Sequence, residues 1–344
     1  MTSNHSNRIY LPLFAIATCC VTFTLVNQRV AARAAVDVAF TEWMTPSTPP
    51  YPHDPAYAPD GTVWYTGQRA NVIGRLDPAT GDFKEWPLPT PNSGPHGLTP
   101  DKDGNIWYTG NSAGLIGKLD PKTGKITEYK MPDPSASDPH TPIFDTDGIL
   151  YFTVQGGNFI GRLDPKTGAI TLKHPPTQNG RPYGIVRAAT GLMYFDEFNS
   201  NKIGELNPKT MAIKEYPLPD ANARPRRIAM GKDDSVYYTD YQRGFLGRLD
   251  PKTGTVEEFA SPGGPTSRPY AIVVTSDGTV WYCETGVDDK NMLIHFDPAT
   301  KQMQSWAIPS GGGTVRNMVI GKPDELWLAE SGVGKIARAT IKKS

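Results

Sequence analysis

Short runs rich in β-branched, aromatic and aliphatic residues follow one another along almost the whole chain, each closed by Gly, Pro, Asp or Asn. The clearest copy lies between Gly94 and Pro132, where the runs are His96–Thr99, Asn105–Thr109, Leu115–Leu119 and Ile126–Tyr129. Runs this short, bounded by turn residues, predict strands rather than helices. Asp103-Gly104 and Asp120-Pro121-Lys122-Thr123-Gly124 are hairpin signals, because glycine accepts the positive φ of such turns and proline pre-sets its own. One copy is therefore a four-stranded meander.

The meander recurs. The aromatic residue of its second strand returns at Trp64, Trp107, Tyr151, Tyr194, Tyr237, Trp281 and Trp327, a spacing of 43 to 46 residues. The Asp-Pro turn returns at Asp77, Asp120, Asp164, Asn207, Asp250 and Asp297, with Asn for Asp at 207. A four-stranded repeat of this period predicts an all-β, seven-bladed β-propeller, each blade burying its faces against its neighbours. The seventh copy lacks a fourth strand after Lys335–Ile341. Residues Phe40 to Pro46 match the fourth strands of other copies and are expected to complete it, which would remove the open edges of the ring.

Before this ring, Ile9 to Gln28 carry no charge, with Arg8 ahead and Ala32-Arg33-Ala34 behind. The layout reads as a signal peptide over residues 1–34, cleaved after Ala34, and places the mature chain in the periplasm or outside the cell. A retained membrane anchor is the competing reading, since the run is long enough to span a bilayer. The mature chain, 35–344, keeps one cysteine, Cys283, so no internal disulfide forms. Thirty-five basic residues balance thirty-five acidic ones, which leaves no footprint for nucleic acid or an anionic membrane. A ring without open edges needs no second copy, so a monomer is expected.

With the four strands of a meander labelled A to D from axis to rim, the near-identical A–B and C–D turns share one face of such a ring, while the variable D–A and B–C connections share the other. Function usually sits on variable loops of a regular scaffold, so the second face is the candidate site. Two sets of residues are expected to converge there. One follows the Pro that opens the first strand, namely His53, His96, His140, Tyr183, Arg226 and Tyr270, with Arg316 after Val315 in the last blade. The other closes the second strand fourteen positions later: Gly67, Gly110, Val154, Glu197, Asp240, Glu284 and Glu330. An imidazole arc would face a carboxylate arc at the channel mouth, offering a base, an acid or metal ligands to a small molecule. In the purely structural alternative, Arg226 pairs with Asp240 and Arg316 with Glu330, plugging the channel. His174 and His295 fall outside the arc and read as surface or packing residues.

Pro95-His96-Gly97-Leu98, Gly104-Asn105-Ile106-Trp107-Tyr108-Thr109, Ile116-Gly117-Lys118-Leu119, Glu128-Tyr129 and Ala223-Arg224-Pro225 resemble the virginiamycin B lyase (streptogramin lyase) family, blade for blade. The resemblance implies a propeller that opens a cyclic depsipeptide at its ester by magnesium-assisted elimination. It implies a histidine base in the last blade and, fourteen residues on, a glutamate belonging to the magnesium site. Glu330 matches that glutamate, but Arg316 stands at the base position. The family's penultimate-blade histidine falls at Tyr270 and its first-blade tyrosine at His53. An arginine stays protonated, so Arg316 does not serve as a base.

Three readings follow. The first is a magnesium lyase acting on an ester or lactone, with Glu330 and Glu284 at the metal and His53 or His96 as base. The second is a lactonase or hydrolase with His53, His96 and His140 holding zinc or a similar ion, whose fourth position takes water. The third is a propeller that binds a ligand or protein on the same face without turnover.

Overall fold

The computed structural model describes residues 1–2, 36–286 and 290–343. Residues 3–34 of the expected leader lie outside the described residues, as does part of the long loop of the sixth blade. Among the described residues the secondary structure is entirely strand and turn, arranged as seven four-stranded sheets. The first blade takes Pro52–Tyr57, Val63–Gly67, Val72–Asp77 and Asp82–Pro87 as its strands A to D. In the second, Pro95–Pro100, Ile106–Gly110, Leu115–Leu119 and Ile126–Lys130 fall within one residue of the expected runs.

Burial falls from axis to rim. Strand B is buried at every residue in the first two blades, because a neighbouring blade covers each face, whereas strand D of the first blade alternates between exposed and covered positions. Blades also interlock internally. Gly117 of strand C sits opposite Tyr108 of strand B, and a methyl group on it would stand 2.0 Å from the tyrosine ring. The same Gly–aromatic pairing recurs at Gly74, Gly161, Gly204 and Gly247. It lets the ring lie flat across the sheet.

The seventh blade closes as expected, with a longer seam. The amino-terminal strand spans Val36–Met44 and pairs antiparallel with Lys335–Lys343, Trp43 lying opposite Ile336. It begins earlier than Phe40 because Val36 and Val38 also pack into the core between blades six and seven. Trp43 stacks on Trp327 at 5.6 Å, and Lys335 holds Glu42 at 2.7 Å.

One irregularity positions the site. Strand A of every blade slips register just after its opening residue, as between Pro52 and Pro55 in the first and between Val315 and Met318 in the last. Such a bulge sets two residues against one on the partner strand. In four blades a strand-B threonine holds it. The Thr66 hydroxyl accepts the Asp54 amide at 3.1 Å and donates to the His96 carbonyl of the next blade at 2.6 Å. Thr109, Thr153 and Thr239 repeat the pattern toward His140, Tyr183 and Tyr270. Each of these four blades thus fixes the channel residue of the next.

Candidate functional site

The first expected set converges on the axis. The ring centroids of His53 and His96 are 3.6 Å apart, those of His96 and His140 3.7 Å, and those of His140 and Tyr183 3.6 Å. The Tyr183 and Tyr270 hydroxyls share a hydrogen bond, and Arg316 donates to the Tyr51 hydroxyl. Arg226 stands among four aromatic rings, 4.1 Å from the centroids of Tyr241 and Tyr270, 4.8 Å from Phe198 and 5.3 Å from Tyr183. The three histidines and both channel tyrosines are buried. They close the channel rather than frame an open mouth.

Beneath them lies a layer that the sequence pattern did not single out. Arg227 is buried and reaches across the axis: its guanidinium donates to Asp54 at 2.7 Å, to the Thr141 hydroxyl at 3.2 Å and to the Arg316 carbonyl at 3.2 Å. Asn317 donates to the other oxygen of Asp54 at 3.0 Å, and His53 Nδ1 donates to the first at 2.9 Å. These are the residues two places after the strand-opening position, turned inward beside their neighbours by the bulge. The signal was present as Asp54, Thr141, Arg227 and Asn317, polar residues at one repeat position. Below this layer the channel opens toward the A–B turns as an apolar well of about 390 Å³.

The second expected set points elsewhere. Glu284 pairs across the sheet with Pro269, and Glu330 with Val315. Residues directly opposite project to the same face, so these carboxylates lie on the face of the opening residue and not with Tyr270 or Arg316. Glu284 accepts from the Ser261 hydroxyl at 2.5 Å and the Gly263 amide at 2.7 Å; Glu330 accepts from Ser310 at 3.0 Å. The ion pairs of the structural alternative do not form either. Asp240 takes Arg243 at 2.6 Å, leaving Arg226 to the aromatic rings and Arg316 to Tyr51. Of the histidines outside the arc, His295 is buried against Trp281, and His174 stacks on Phe159.

The electrostatics of the axis are cationic. Burial, then the charges of Arg316, Arg227 and Arg226, holds the His53 imidazole well below its usual pKa, and burial does the same first for His96 and His140. Burial raises the Tyr270 phenol, yet the guanidiniums of Arg226, Arg227 and Arg316 bring it below its ordinary value. Asp196, beside this cluster, is pushed up to about 8 by burial and is uncharged at neutral pH, so Asp54, paired with Arg227 alone, is the carboxylate that meets the arginine cluster directly. Glu330, buried against Glu42, also rises to about 8.

Those shifts imply a pH dependence. Glu330 and Asp196 keep their protons in the folded chain up to about pH 8 but lose them near pH 4 when unfolded. Stability therefore falls as pH rises through that window. The neutral histidines act oppositely, costing stability as pH drops below about 6.5, where the unfolded chain takes up protons. Glu330→Gln is expected to raise the urea midpoint at about pH 8 and leave it nearly unchanged at about pH 4. An equal change at both pH values would contradict the assignment.

A divalent cation fits neither proposed ligand set. Glu330, Glu284 and His140 do not converge; each carboxylate is held by its own loop, and His140 meets Thr141 at 2.9 Å. Among the described residues one group brings ligand atoms within 4.8 Å of one another, His53, Asp54 and His96. There Asp54 is already taken by Arg227 and Asn317, and the surrounding guanidiniums repel a cation.

Fold and site together define a seven-bladed propeller whose channel is sealed on its variable-loop face by a ring of histidine, tyrosine and arginine. The chain belongs to the virginiamycin B lyase family, whose profile matches residues 17–287. It is similar to virginiamycin B lyase from Staphylococcus aureus, at 26% identity over 88% of this chain and 99% of that one, with a TM-score of 0.81. A streptogramin B lyase structure superposes at 0.80 with 28% identity, covering 89% and 98% of the two chains. A catalytically inactive histidine-to-alanine variant of the S. aureus enzyme with quinupristin superposes at 0.80, at 25% identity over 88% and 99%. No curated protein matches the sequence.

Proposed function

We propose that this family member binds a small molecule at the D–A and B–C face without the metal-assisted elimination that the resemblance implies. The observation that carries this reading is Arg316. It occupies the position of the family's base, it is bonded to Tyr51, and it keeps its proton. The neighbouring imidazoles are neutral but buried in a column of closely packed, tilted rings, which leaves no base open to a substrate.

A second reading has one observation in its favour. Glu330 Oε1 is buried without a hydrogen-bond partner, so this carboxyl has a free oxygen at the position of the family's magnesium-site glutamate. Incubation with quinupristin and magnesium separates the two. Loss of a positioned base costs about 10²–10⁴-fold, so no ring-opened product is expected above roughly a hundredth of the rate of the S. aureus enzyme. A linear, unsaturated product formed at a comparable rate would overturn the binding reading, and a product carrying added water would point to hydrolysis.

A further inference from the structure

We infer that the ligand of this mouth carries an oxyanion, a carboxylate or a phosphate ester, on an aromatic or similarly flat body. The inference rests on the binding reading above and specifies its chemistry. Arg226 and Arg316 are half-buried, and among the described residues neither has a carboxylate partner. A desolvated charge without a counter-ion is costly, and the aromatic faces offset only part of that cost. Their hydrogen-bonding capacity is not filled. Arg226 makes a single long bond, Nε to the Tyr183 hydroxyl at 3.4 Å, and Arg316 donates through one terminal nitrogen to Tyr51 while its buried Nε has no partner.

The rim extends the same chemistry. Tyr51 lies between Arg69, at 3.9 Å from its ring, and Arg316, at 5.3 Å. Tyr241 lies between Arg226, at 4.1 Å, and Arg268, at 5.6 Å. Two arginine–tyrosine–arginine clips therefore stand at the mouth. The acidic groups nearby are engaged elsewhere: Asp220, Asp240 and Glu258 by Arg243, and Asp138 by Asn111 and Arg181. Guanidinium groups held by π faces, with N–H groups still unpaired, suit recognition of a planar oxyanion. Half-buried Phe198 and Tyr241 offer faces to the ligand body.

Fluorine NMR with para-fluorobenzoate, para-fluorophenyl phosphate and para-fluorobenzamide tests this on the purified protein. The expected result is line broadening for at least one of the two anions and none for the uncharged amide. The anion that binds more tightly identifies the head group. Binding should weaken several-fold between about 0.05 and about 0.5 M salt, and about tenfold or more in Arg316→Gln. Arg69→Gln, a change at an exposed position, should weaken it without affecting the fold. Equal binding of benzoate and benzamide, salt-independent binding, or no broadening at about 10 mM of either anion would overturn the inference. Ring opening of quinupristin would instead sink the binding reading and leave the fluorine result to be judged separately.

Discussion

A chain lacking residues 36–46 is expected to lose its cooperative fold. The deleted strand supplies the whole of one edge of the seventh blade, nine residues paired from Val36 opposite Lys343 to Met44 opposite Lys335. Its loss exposes Ile336, Ala337, Ala339 and Ile341, buried side chains of Lys335–Lys343, and removes the Trp43 ring from Trp327. Removing a fully buried aromatic costs about 3–5 kcal/mol and a half-buried ring such as Trp43 less, but the deletion also unpairs nine strand residues, and a whole domain is stable by only about 5–15 kcal/mol. The unpaired edge would also invite association between copies. Near-ultraviolet circular dichroism should show the tertiary signal gone. A synthetic peptide of residues 36–46 should restore it, because the seam is formed by main-chain pairing along one continuous strand. A truncated chain that kept a native spectrum and urea midpoint would contradict the closure.

The second large effect concerns the buried ion pair on the axis. Asp54→Ala would leave the Arg227 guanidinium, itself buried, without its carboxylate, and Asn317 and His53 without their acceptor. Breaking one side of such a pair typically costs about 3–5 kcal/mol, mostly the penalty of the charge left behind. The double change Asp54→Ala with Arg227→Met should recover much of that loss, since an apolar chain of similar length can extend into the well below. If Asp54→Ala alone shifted the urea midpoint by no more than an exposed substitution, Arg227 would not be held as described.

The period, the blade count and the closing strand were legible because each depends on local chemistry repeated seven times. Turn residues such as Asp103-Gly104, the strand-B aromatics and the missing fourth strand after Lys335–Ile341 each mark one feature directly. The axial ring was legible for the same reason: His53, His96 and His140 share one repeat position. Two things were hidden. The bulge that sends Asp54 and Arg227 into the channel is held by threonines whose second bond goes to the next blade, a tertiary contact with no local signature. The carboxylates at Glu284 and Glu330 have the expected spacing but the opposite side, because cross-strand pairing with Pro269 and Val315 decides their face. Spacing located the right end of the strand; pairing determined where the side chain points.

The chemical contrast with the implied lyase comes down to charge. A magnesium site needs carboxylates that converge, and here they are dispersed into loop hydrogen bonds while guanidiniums gather on the axis. The same neutral histidines that would bind zinc in an open arc are packed ring against tilted ring within that positive field.

Metal content of the purified protein after equilibration with magnesium and zinc tests this most directly, with His96→Ala and Glu330→Ala measured alongside. A cationic axis predicts no stoichiometric ion of either kind and no change in either variant. One equivalent of magnesium lost in Glu330→Ala, or one of zinc lost in His96→Ala, would contradict it.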